Sequence, residues 1–365
     1  MNVHESEKIA GMLSGLGMTK ADTALKAQVI VFNTCCIREA AENKAKSKIG
    51  ALKSYKQKNP DVIIAVGGCM TQQDGVAETL YKTFPFVDII FGTHNLYLFK
   101  DFLIERQKKG QRAIYIEKGS PLPREGIEVL RDEADNAYVN ITYGCDNFCS
   151  YCIVPYVRGR ERSRKPGDIA AEVKNLAITG KYKTITLLGQ NVNSYGKDLK
   201  PQVSFPSLLE SLAKIEGDFT LAFLTSHPKD MSDDLIRVIK ENSKISRDVH
   251  LPVQSGSTKI LTAMNRKYTR EHYLGLIEKI RTITDVRIST DIIVGFPGET
   301  LEDFEETLSL VKQVSFGNIY SFMYSKRKGT AAEKLEGHIP LAERNRRVNI
   351  LINLQREIEK KNKGK

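Results

Sequence analysis

Short apolar runs rich in valine and isoleucine recur along the first third of the chain. They cover residues 27–32, 62–66 and 87–91. Because each run is short, mostly apolar and flanked by turn residues, it suits a buried parallel strand. Helical periodicity lies between the runs, at residues 39–55 and 75–84. The pattern predicts a small α/β domain with a parallel sheet over residues 1–115.

The second half of the chain carries further strand-like segments, each separated from the next by a helix-length segment. They begin near residues 138, 184, 219, 249, 286 and 319. Such β/α units in series predict a partial barrel or a doubly wound sheet, with the site in the loops at the carboxyl ends of the strands. We place this domain at residues 136–330. Proline and glycine at residues 116–135 predict a linker, and residues 331–365 predict a C-terminal helix.

Positive charge suggests an acidic partner. The formal net charge is +11, and nucleic acid is the commonest partner of such a protein. A basic surface that only keeps the protein soluble is the alternative. Cations crowd one stretch, at Arg158, Arg160, Arg162, Arg164 and Lys165. We expect the arginines of this stretch to line the path of a nucleic acid, since phosphates need cationic contacts.

Two sequence patterns bear on the cellular compartment of the protein, and neither is found. No stretch approaches the ~18 uninterrupted apolar residues that a membrane helix needs. The first residues lack the basic and then apolar pattern of a signal peptide. We therefore expect a cytoplasmic protein that does not contact a membrane, with reduced cysteines.

The six cysteines are clustered. Three lie close together, at Cys145, Cys149 and Cys152, and three lie upstream, at Cys35, Cys36 and Cys69. Thiolates are soft ligands that suit zinc, Cu(I) and iron–sulfur clusters. A structural zinc site usually has four protein ligands, and no fourth cysteine or histidine lies close to the triplet. A four-iron cluster on three thiolates instead leaves one iron open for a substrate. A zinc site with a distant fourth ligand and unrelated buried cysteines are the alternatives.

The C-x3-C-x2-C spacing, with an aromatic residue before the last cysteine, resembles the defining motif of the radical S-adenosylmethionine superfamily. The longer segment from Cys145 to Arg164 is similar to the cluster loop of the methylthiotransferase family, in its tRNA-modifying branch. Further segments match this branch in the same order, at Leu187–Tyr195, Thr225–Pro228, His250–Ser257, Arg266–Arg270 and Asp291–Thr300. The resemblance extends over nearly the whole chain.

The resemblance implies a fold, a reaction and partners. The fold is the N-terminal α/β domain of methylthiotransferases followed by a partial (β/α)6 barrel of the radical S-adenosylmethionine type. The reaction places a methylthio group on C2 of N6-isopentenyladenosine beside the tRNA anticodon. It uses two S-adenosylmethionine molecules and sulfur from an auxiliary four-iron cluster. Partners are tRNA and an electron donor such as flavodoxin or ferredoxin, and we expect a monomer. Methylthiolation of a ribosomal protein and a non-catalytic tRNA-binding remnant are the alternatives.

The resemblance also implies site residues. Cys145, Cys149 and Cys152 would hold the cluster that cleaves S-adenosylmethionine, and Cys35 and Cys69 would bind the auxiliary cluster. The S-adenosylmethionine pocket would consist of Tyr151, Gly189, Gln190, Asn191, Gln254, Ser255 and Gly295. Tyr151 would cover the adenine, and Gly256 would let the backbone approach a ligand. We interpret His227 as a structural histidine.

Both chain ends depart from the family pattern. Relatives carry the first auxiliary-cluster cysteine just before the segment that begins here at Met1. They carry a small RNA-binding barrel, the TRAM domain, after the helix that ends here near Lys365. We therefore expect a chain truncated at both ends, without the first strand, the first ligand and the TRAM domain. Since neighbouring residues of an extended chain point opposite ways, we do not expect Cys36 to replace that ligand.

Overall fold

The computed structural model describes residues 1–37, 39–121, 124–132 and 134–363. The chain forms two compact units. The first unit consists of Met1–Ala134, Tyr143–Cys145 and Ile153–Arg162, and the second consists of Asp135–Thr142, Asp146–Cys152 and Ser163–Lys365.

A four-stranded parallel sheet in the order β1-β2-β3-β4 forms the core of the first unit. Its strands are β1 Val29–Thr34, β2 Ile63–Gly68, β3 Ile89–Phe91 and β4 Ala113–Tyr115. Its α-helices are α1 Asn2–Ser14, α2 Glu39–Ala51, α3 Lys53–Lys58, α4 Val76–Thr83, α5 Phe99–Lys109 and α6 Val154–Arg158, and short 3-10 helices cover Ala24–Lys26 and Leu96–Leu98. The α/β domain and its three predicted strands are confirmed. The fourth strand was not predicted.

Both faces of this sheet are covered, which explains why its strands are mostly apolar. Alternate residues of a strand point to opposite faces. In β2, Ile64 and Val66 pack into one apolar cluster, whereas Ile63 and Ala65 pack into a second cluster on the other face. A strand with two buried faces has no polar position to alternate with.

A buried carboxylate fixes the start of β3. Asp88 accepts hydrogen bonds from Lys56 Nζ at 3.0 Å, from Arg106 Nη2 at 2.7 Å and from the amide of Ile64 at 2.8 Å. Asp88 and Lys56 are buried and Arg106 is mostly so. Removing one partner from such a buried set costs about 3–5 kcal/mol, because it leaves an uncompensated charge.

The predicted linker packs on the first unit. The Leu130 amide donates to the carbonyl of Glu7 in α1 at 3.0 Å. A Cβ added at Gly11 of α1 would lie 2.2 Å from the Glu128 carbonyl oxygen, so the helix and this segment touch directly. Residues 122, 123 and 133 of the predicted linker lie outside the described residues. The remainder up to residue 134 belongs to the first unit, and so do 143–145 and 153–162, which we assigned to the second domain from sequence.

Six parallel strands follow one another in the second unit. They are β5 Asn136–Asn140, β8 Thr184–Leu188, β9 Thr220–Phe223, β10 Asp248–His250, β11 Arg287–Val294 and β12 Asn318–Met323, and two short strands, β6 Thr142–Tyr143 and β7 Arg162–Ser163, lie where the chain passes between units. β5, β8 and β9 pair in one sheet, and β10, β11 and β12 pair in another. A parallel bridge between Leu221 and Ile245 links the end of one set to the start of the next. All six predicted strands are confirmed to within two residues.

Helices alternate with these strands and cover them. They are α7 Pro166–Ile178, α8 Phe205–Ala213, α9 Asp233–Glu241, α10 Thr258–Ala263, α11 Arg270–Ile280, α12 Leu301–Val314 and α13 Leu341–Lys363. Short 3-10 helices cover Val192–Ser194, Pro228–Asp230 and Ala331–Lys334. The C-terminal helix α13 was predicted, and its Leu351 is buried in the core of this unit. Within the described residues, no helix combines the length and apolarity that crossing a bilayer requires.

Candidate functional site

Hydrogen bonds join the loop that carries the cysteine motif to the end of α10 and the segment after it, in the second unit. The Ser150 amide donates to the Met264 carbonyl at 3.0 Å, and the Ser150 hydroxyl donates to the Ala263 carbonyl at 2.8 Å. The side-chain amide of Asn265 donates to the Phe148 carbonyl at 2.9 Å. These bonds give the loop a fixed conformation at the end of a helix, so its thiols have defined positions.

A buried arginine from the same segment reaches one of the thiols. Arg266 is 4% exposed, and its Nη1 lies 3.5 Å from Cys149 Sγ. Nη2 donates to the Pro252 carbonyl at 2.8 Å, and Nε donates to the Tyr268 hydroxyl at 3.0 Å. The guanidinium thus places a hydrogen-bond donor and a permanent positive charge beside this sulfur. Sequence reasoning noted this arginine only as part of a family motif and gave it no role.

The three thiols of the motif have the donor chemistry of the predicted cluster. Cys145 and Cys149 are buried, and Cys152 is half-buried. In the part of the chain that the structure describes, no three cysteine, histidine or carboxylate side chains form the ligand group of one metal ion. Soft thiolates are the usual ligands of iron–sulfur clusters, so the residues present are compatible with such a cluster, and their ligand role stays a prediction.

His227 lies at the carboxyl end of β9 and is 4% exposed. Its Nδ1 accepts a hydrogen bond from the Lys229 amide at 3.3 Å. In the neutral ring the proton is then assigned to Nε2, which has no hydrogen-bond partner among the described residues. Burial first, and then the charge of Arg266, lower the pKa of His227 to about 2. The ring is thus a neutral, buried donor without an acceptor.

Two more buried polar atoms at the ends of β8 and β9 lack partners among the described residues. They are Asn191 Oδ1 and Ser226 Oγ. The other amide atom of Asn191, Nδ2, donates to Asp230 Oδ2 at 2.7 Å, which fixes the orientation of the side chain. Buried polar atoms without partners are rare in folded proteins and indicate a missing ligand or water.

Other residues that we predicted to form the S-adenosylmethionine pocket are held in position by packing against neighbouring side chains. A Cβ added at Gly189 would lie 2.4 Å from Thr142 Cγ2, so the glycine allows the chain to pass that side chain. Gln190 is half-buried. Tyr151 packs beside Met264 and Phe296 in a small apolar cluster, and burial raises the pKa of its hydroxyl well above the ordinary value. The packing of Tyr151 accounts for its position without a ligand, and its predicted contact with adenine stays a prediction.

The segment after β10 is shaped by its contact with α12. Gln254 has a φ of 74° and its amide donates to the Asp291 carbonyl at 2.9 Å. Ser255 Oγ lies 3.3 Å from Thr307 Oγ1. A Cβ added at Gly256 would lie 2.5 Å from the Cα of Thr307. The missing side chain of Gly256 makes room for the backbone of α12. The expectation that it makes room for a ligand is therefore wrong.

Gly295 occupies a left-handed turn after β11. Its φ is 72°, and a Cβ added there would lie 2.3 Å from Cγ of Arg344. Its amide donates to Glu299 Oε2 at 2.7 Å, and this buried carboxylate also accepts from Arg347 Nη1 at 2.6 Å. Burial raises the pKa of Glu299 despite these bonds. The turn is thus fixed by α13 and by the carboxylate, and its cofactor role stays a prediction.

A second set of thiols lies in the first unit. Cys36 and Cys69 are buried in the same apolar cluster, and Cys35 is half-buried. The neighbouring Cys36 thiol first, and then the charge of Arg158, lower the pKa of Cys69 to about 7. Arg158 Nε donates to Cys69 Sγ at 3.1 Å. The structure thus brings Cys36 to Cys69, a pairing that sequence reasoning did not anticipate.

The basic segment is only partly available to a nucleic acid. Arg158 and Arg164 are buried, and Arg164 Nη1 donates to the Asn140 carbonyl at 2.7 Å and to Glu172 at 2.8 Å. Arg160 is exposed. The expectation that the whole stretch lines a nucleic-acid path is wrong for the two buried arginines, because they serve contacts within the protein.

Known families and proteins match both parts of the chain. Residues 139–311 match the model described as Radical SAM superfamily, and residues 1–92 match the model described as Uncharacterized protein family UPF0004. A tRNA-2-methylthio-N(6)-dimethylallyladenosine synthase of Clostridium tetani (strain Massachusetts / E88) is 53% identical over 365 residues, covering 100% of this chain and 80% of that protein. A protein of the same name from Caldicellulosiruptor saccharolyticus is 52% identical over 359 residues, covering 98% and 76%.

Solved structures share the fold at low identity. The radical S-adenosylmethionine methyltransferase TsrM from Kitasatospora setae, with cobalamin and a [4Fe-4S] cluster bound, has a TM-score of 0.60 at 13% identity and covers 81% of this chain and 64% of that one. The cobalamin-dependent S-adenosylmethionine radical enzyme OxsB has a TM-score of 0.58 at 12% identity, covering 97% and 53%. These likenesses concern the fold alone. The relatives of more than half identical sequence, with the match to the Radical SAM superfamily, establish that the chain belongs to the radical S-adenosylmethionine enzymes and, among them, to the family of the tRNA-2-methylthio-N(6)-dimethylallyladenosine synthases.

Proposed function

We propose that this enzyme cleaves S-adenosylmethionine at a four-iron cluster on Cys145, Cys149 and Cys152. It then places a methylthio group on C2 of N6-isopentenyladenosine beside the tRNA anticodon. The observation that carries the first part is the buried guanidinium of Arg266 at Cys149 Sγ, 3.5 Å away. The second part is supported by relatives that are named for this modification and match the whole chain.

The substrate explains why radical chemistry is needed. The C2–H bond of adenine is not acidic, so a side-chain base has little to act on. When bound, the cluster supplies an electron that breaks a carbon–sulfur bond of S-adenosylmethionine and releases a 5′-deoxyadenosyl radical. The protein's own part is to hold the reactants and to keep water away from them.

Named side chains perform this holding. Arg266 places a permanent positive charge beside the Cys149 sulfur, because a guanidinium stays charged at any physiological pH. His227 donates from Nε2, and Asn191 accepts at Oδ1. S-adenosylmethionine offers acceptors on its carboxylate and donors on its ribose and amino groups, which match these atoms. We assign the pocket to Tyr151, Gly189, Gln190, Asn191, Gln254, Ser255 and Gly295, with His227 added.

The remaining assignments concern the sulfur donor and the partners. Cys35 and Cys69 ligate the auxiliary four-iron cluster that supplies sulfur. The partners are tRNA and an electron donor such as flavodoxin or ferredoxin, and the protein acts as a monomer. Because tRNA is its substrate, it acts in the cytoplasm.

Anaerobic reconstitution tests the proposal. The full chain is loaded with iron and sulfide and mixed with S-adenosylmethionine, dithionite and tRNA that contains N6-isopentenyladenosine. We expect 5′-deoxyadenosine and 2-methylthio-N6-isopentenyladenosine by mass spectrometry, and neither product from Cys149→Ala. Deoxyadenosine without the modified nucleoside would contradict the tRNA assignment and favour another acceptor, such as a ribosomal protein. No deoxyadenosine from a loaded chain would contradict the radical chemistry.

A further inference from the structure

A buried arginine in the first unit is directed at a sulfur that we assign to the auxiliary cluster. Arg158 is 6% exposed and Cys69 is 7% exposed. The Arg158 Nε donates to Cys69 Sγ at 3.1 Å, within the range of a direct N–H···S hydrogen bond. The family motif alone did not indicate this contact, because the two residues lie 89 positions apart in the sequence.

The guanidinium is held in this orientation from its other side. Its Nη1 and Nη2 donate to the two carboxylate oxygens of Glu5, the second at 2.8 Å. Such a bidentate pair fixes the plane of the guanidinium. The backbone is fixed as well, because Arg162 Nη2 donates to the Arg158 carbonyl at 2.7 Å and Thr93 Oγ1 donates to the Val157 carbonyl at 2.7 Å.

Cys69 lies close to further cysteines of the first unit. Cys36 and Cys69 belong to the same buried apolar cluster, and Cys35 is the chain neighbour of Cys36. Soft thiolates are the usual ligands of four-iron clusters. The chemistry of these side chains is therefore compatible with the cluster that we assign to Cys35 and Cys69.

We propose that Arg158 is a positioning residue of the auxiliary cluster, which fixes the orientation of the Cys69 sulfur and raises the reduction potential of the cluster. This inference rests on the proposed function, since it takes Cys69 as a ligand. The physical cause is the charge: reduction adds an electron next to a cation that cannot lose its proton, and hydrogen bonds to cluster sulfurs raise the potential. Glu5 offsets part of the charge and keeps the donor aligned.

A purely structural role of Arg158 would give a different experimental result. The pair of Arg106 and Asp88 in the same unit is mostly buried, with 2.7 Å between Nη2 and Oδ1, and among the described residues neither side chain hydrogen-bonds to a thiol. Arg106→Lys is thus a matched control that disturbs a buried pair of the same kind. If Arg158 acted only on folding, both arginine variants would change the melting temperature and neither would change a reduction potential.

The experiment uses the full chain with Cys145, Cys149 and Cys152 replaced by alanine, so that only the auxiliary cluster assembles. This parent and its Arg158→Lys, Arg158→Gln and Arg106→Lys derivatives are reconstituted anaerobically. Iron content and reduction potential are measured, the latter by a titration followed by electron paramagnetic resonance. We expect the potential to fall from the parent to Arg158→Lys and further to Arg158→Gln, and to stay at the parental value in Arg106→Lys.

Each outcome decides the inference. A folded Arg158→Gln chain that loads no iron, beside an Arg158→Lys chain that loads it at a lower potential, supports the positioning role. Equal potentials in all four chains, or an equal shift in Arg106→Lys, overturn it. A parent without iron overturns both the inference and the assigned sulfur donor. The radical part of the proposed function is judged separately, by 5′-deoxyadenosine formation in the chain with its native cysteines.

Discussion

Arg266 Nη1 lies 3.5 Å from the sulfur of Cys149, and both groups are buried in the second unit. The first unit contains a similar pair, in which Arg158 Nε lies 3.1 Å from the sulfur of Cys69. Each unit thus places one buried guanidinium at one thiol. An arginine keeps its proton under all physiological conditions, so both sulfurs have a cationic neighbour at every pH that the enzyme encounters.

The first prediction concerns Arg266. Arg266→Lys removes the forked donor that serves Cys149 and Pro252 together. A lost hydrogen bond to a charged group costs about 1.5–3 kcal/mol, so we expect the rate of 5′-deoxyadenosine formation to fall at least about 10-fold. The rate is measured with reconstituted protein at saturating S-adenosylmethionine. Arg287→Lys is the control, because Arg287 is 77% exposed and pairs with Asp248 at the surface. Equal rates in the two variants would exclude a role for Arg266 at the sulfur.

The second prediction concerns two glycines with opposite environments. Gly256→Ala would place a methyl group 2.5 Å from the backbone of Thr307, and such overpacking costs about 1–3 kcal/mol. Gly275 lies within α11 and its added Cβ would meet nothing within 4 Å. Gly275→Ala should therefore stabilise the protein by about 0.5–1 kcal/mol. Urea unfolding measures both changes. A stable Gly256→Ala protein would show that α12 shifts easily.

The third prediction separates the adjacent cysteines. In the chain that carries only the auxiliary site, we expect Cys35→Ala and Cys69→Ala to lose iron and Cys36→Ala to retain it. Cys36 is fully buried in the apolar cluster beside Val66, whereas Cys35 is half-buried. Iron and sulfide analysis after reconstitution provides the measurement. If Cys36→Ala loses iron as completely as Cys69→Ala, Cys36 is a ligand and its contact with Cys69 is part of the site.

The fourth prediction is a pH dependence of stability. Burial first, and then the charges of Arg162 and Arg158, lower the pKa of His94 from 6.5 to about 4. Between these two values the unfolded chain binds a proton at this position and the folded chain does not. The contribution of His94 to stability therefore decreases as the pH falls from 6.5 to about 4, with a slope below about 1.4 kcal/mol per pH unit.

Thermal unfolding of the native chain and of His94→Gln over this pH range measures the effect. The variant has no group that titrates here, so its melting temperature should depend less on pH. Parallel curves for the two proteins would show that His94 titrates normally in the folded state.

Much of the fold was predictable because it depends on local patterns. The parallel strands of the first unit are marked by short runs rich in valine and isoleucine, and the six strands of the second unit are marked by their alternation with helices. The strand Ala113–Tyr115 escaped notice because it has only three residues, all half-buried. The segment predicted as a linker packs on α1 by backbone contacts, which leave little trace in the side-chain pattern.

The site was less predictable because its key contacts join distant positions. Arg266 points to Cys149 because Asn265 and Lys267 beside it have φ values of 58° and 61°. Asparagine adopts this conformation readily, but nothing in the sequence marks the lysine as left-handed. The role of Gly256 was misjudged for a similar reason. Its close neighbour is α12, which begins only at Leu301.

The low pKa of the Cys69 thiol has a consequence for the unloaded protein. The neighbouring Cys36 thiol first, and then the charge of Arg158, lower this pKa to about 7, and the thiolate is the form that oxidants attack. In air, we therefore expect Cys69 of the iron-free chain to oxidise more readily than a thiol of ordinary pKa. Oxidation removes Cys69 from any cluster, so the order of events matters: iron that arrives before oxygen finds a ligand, and iron that arrives afterwards does not.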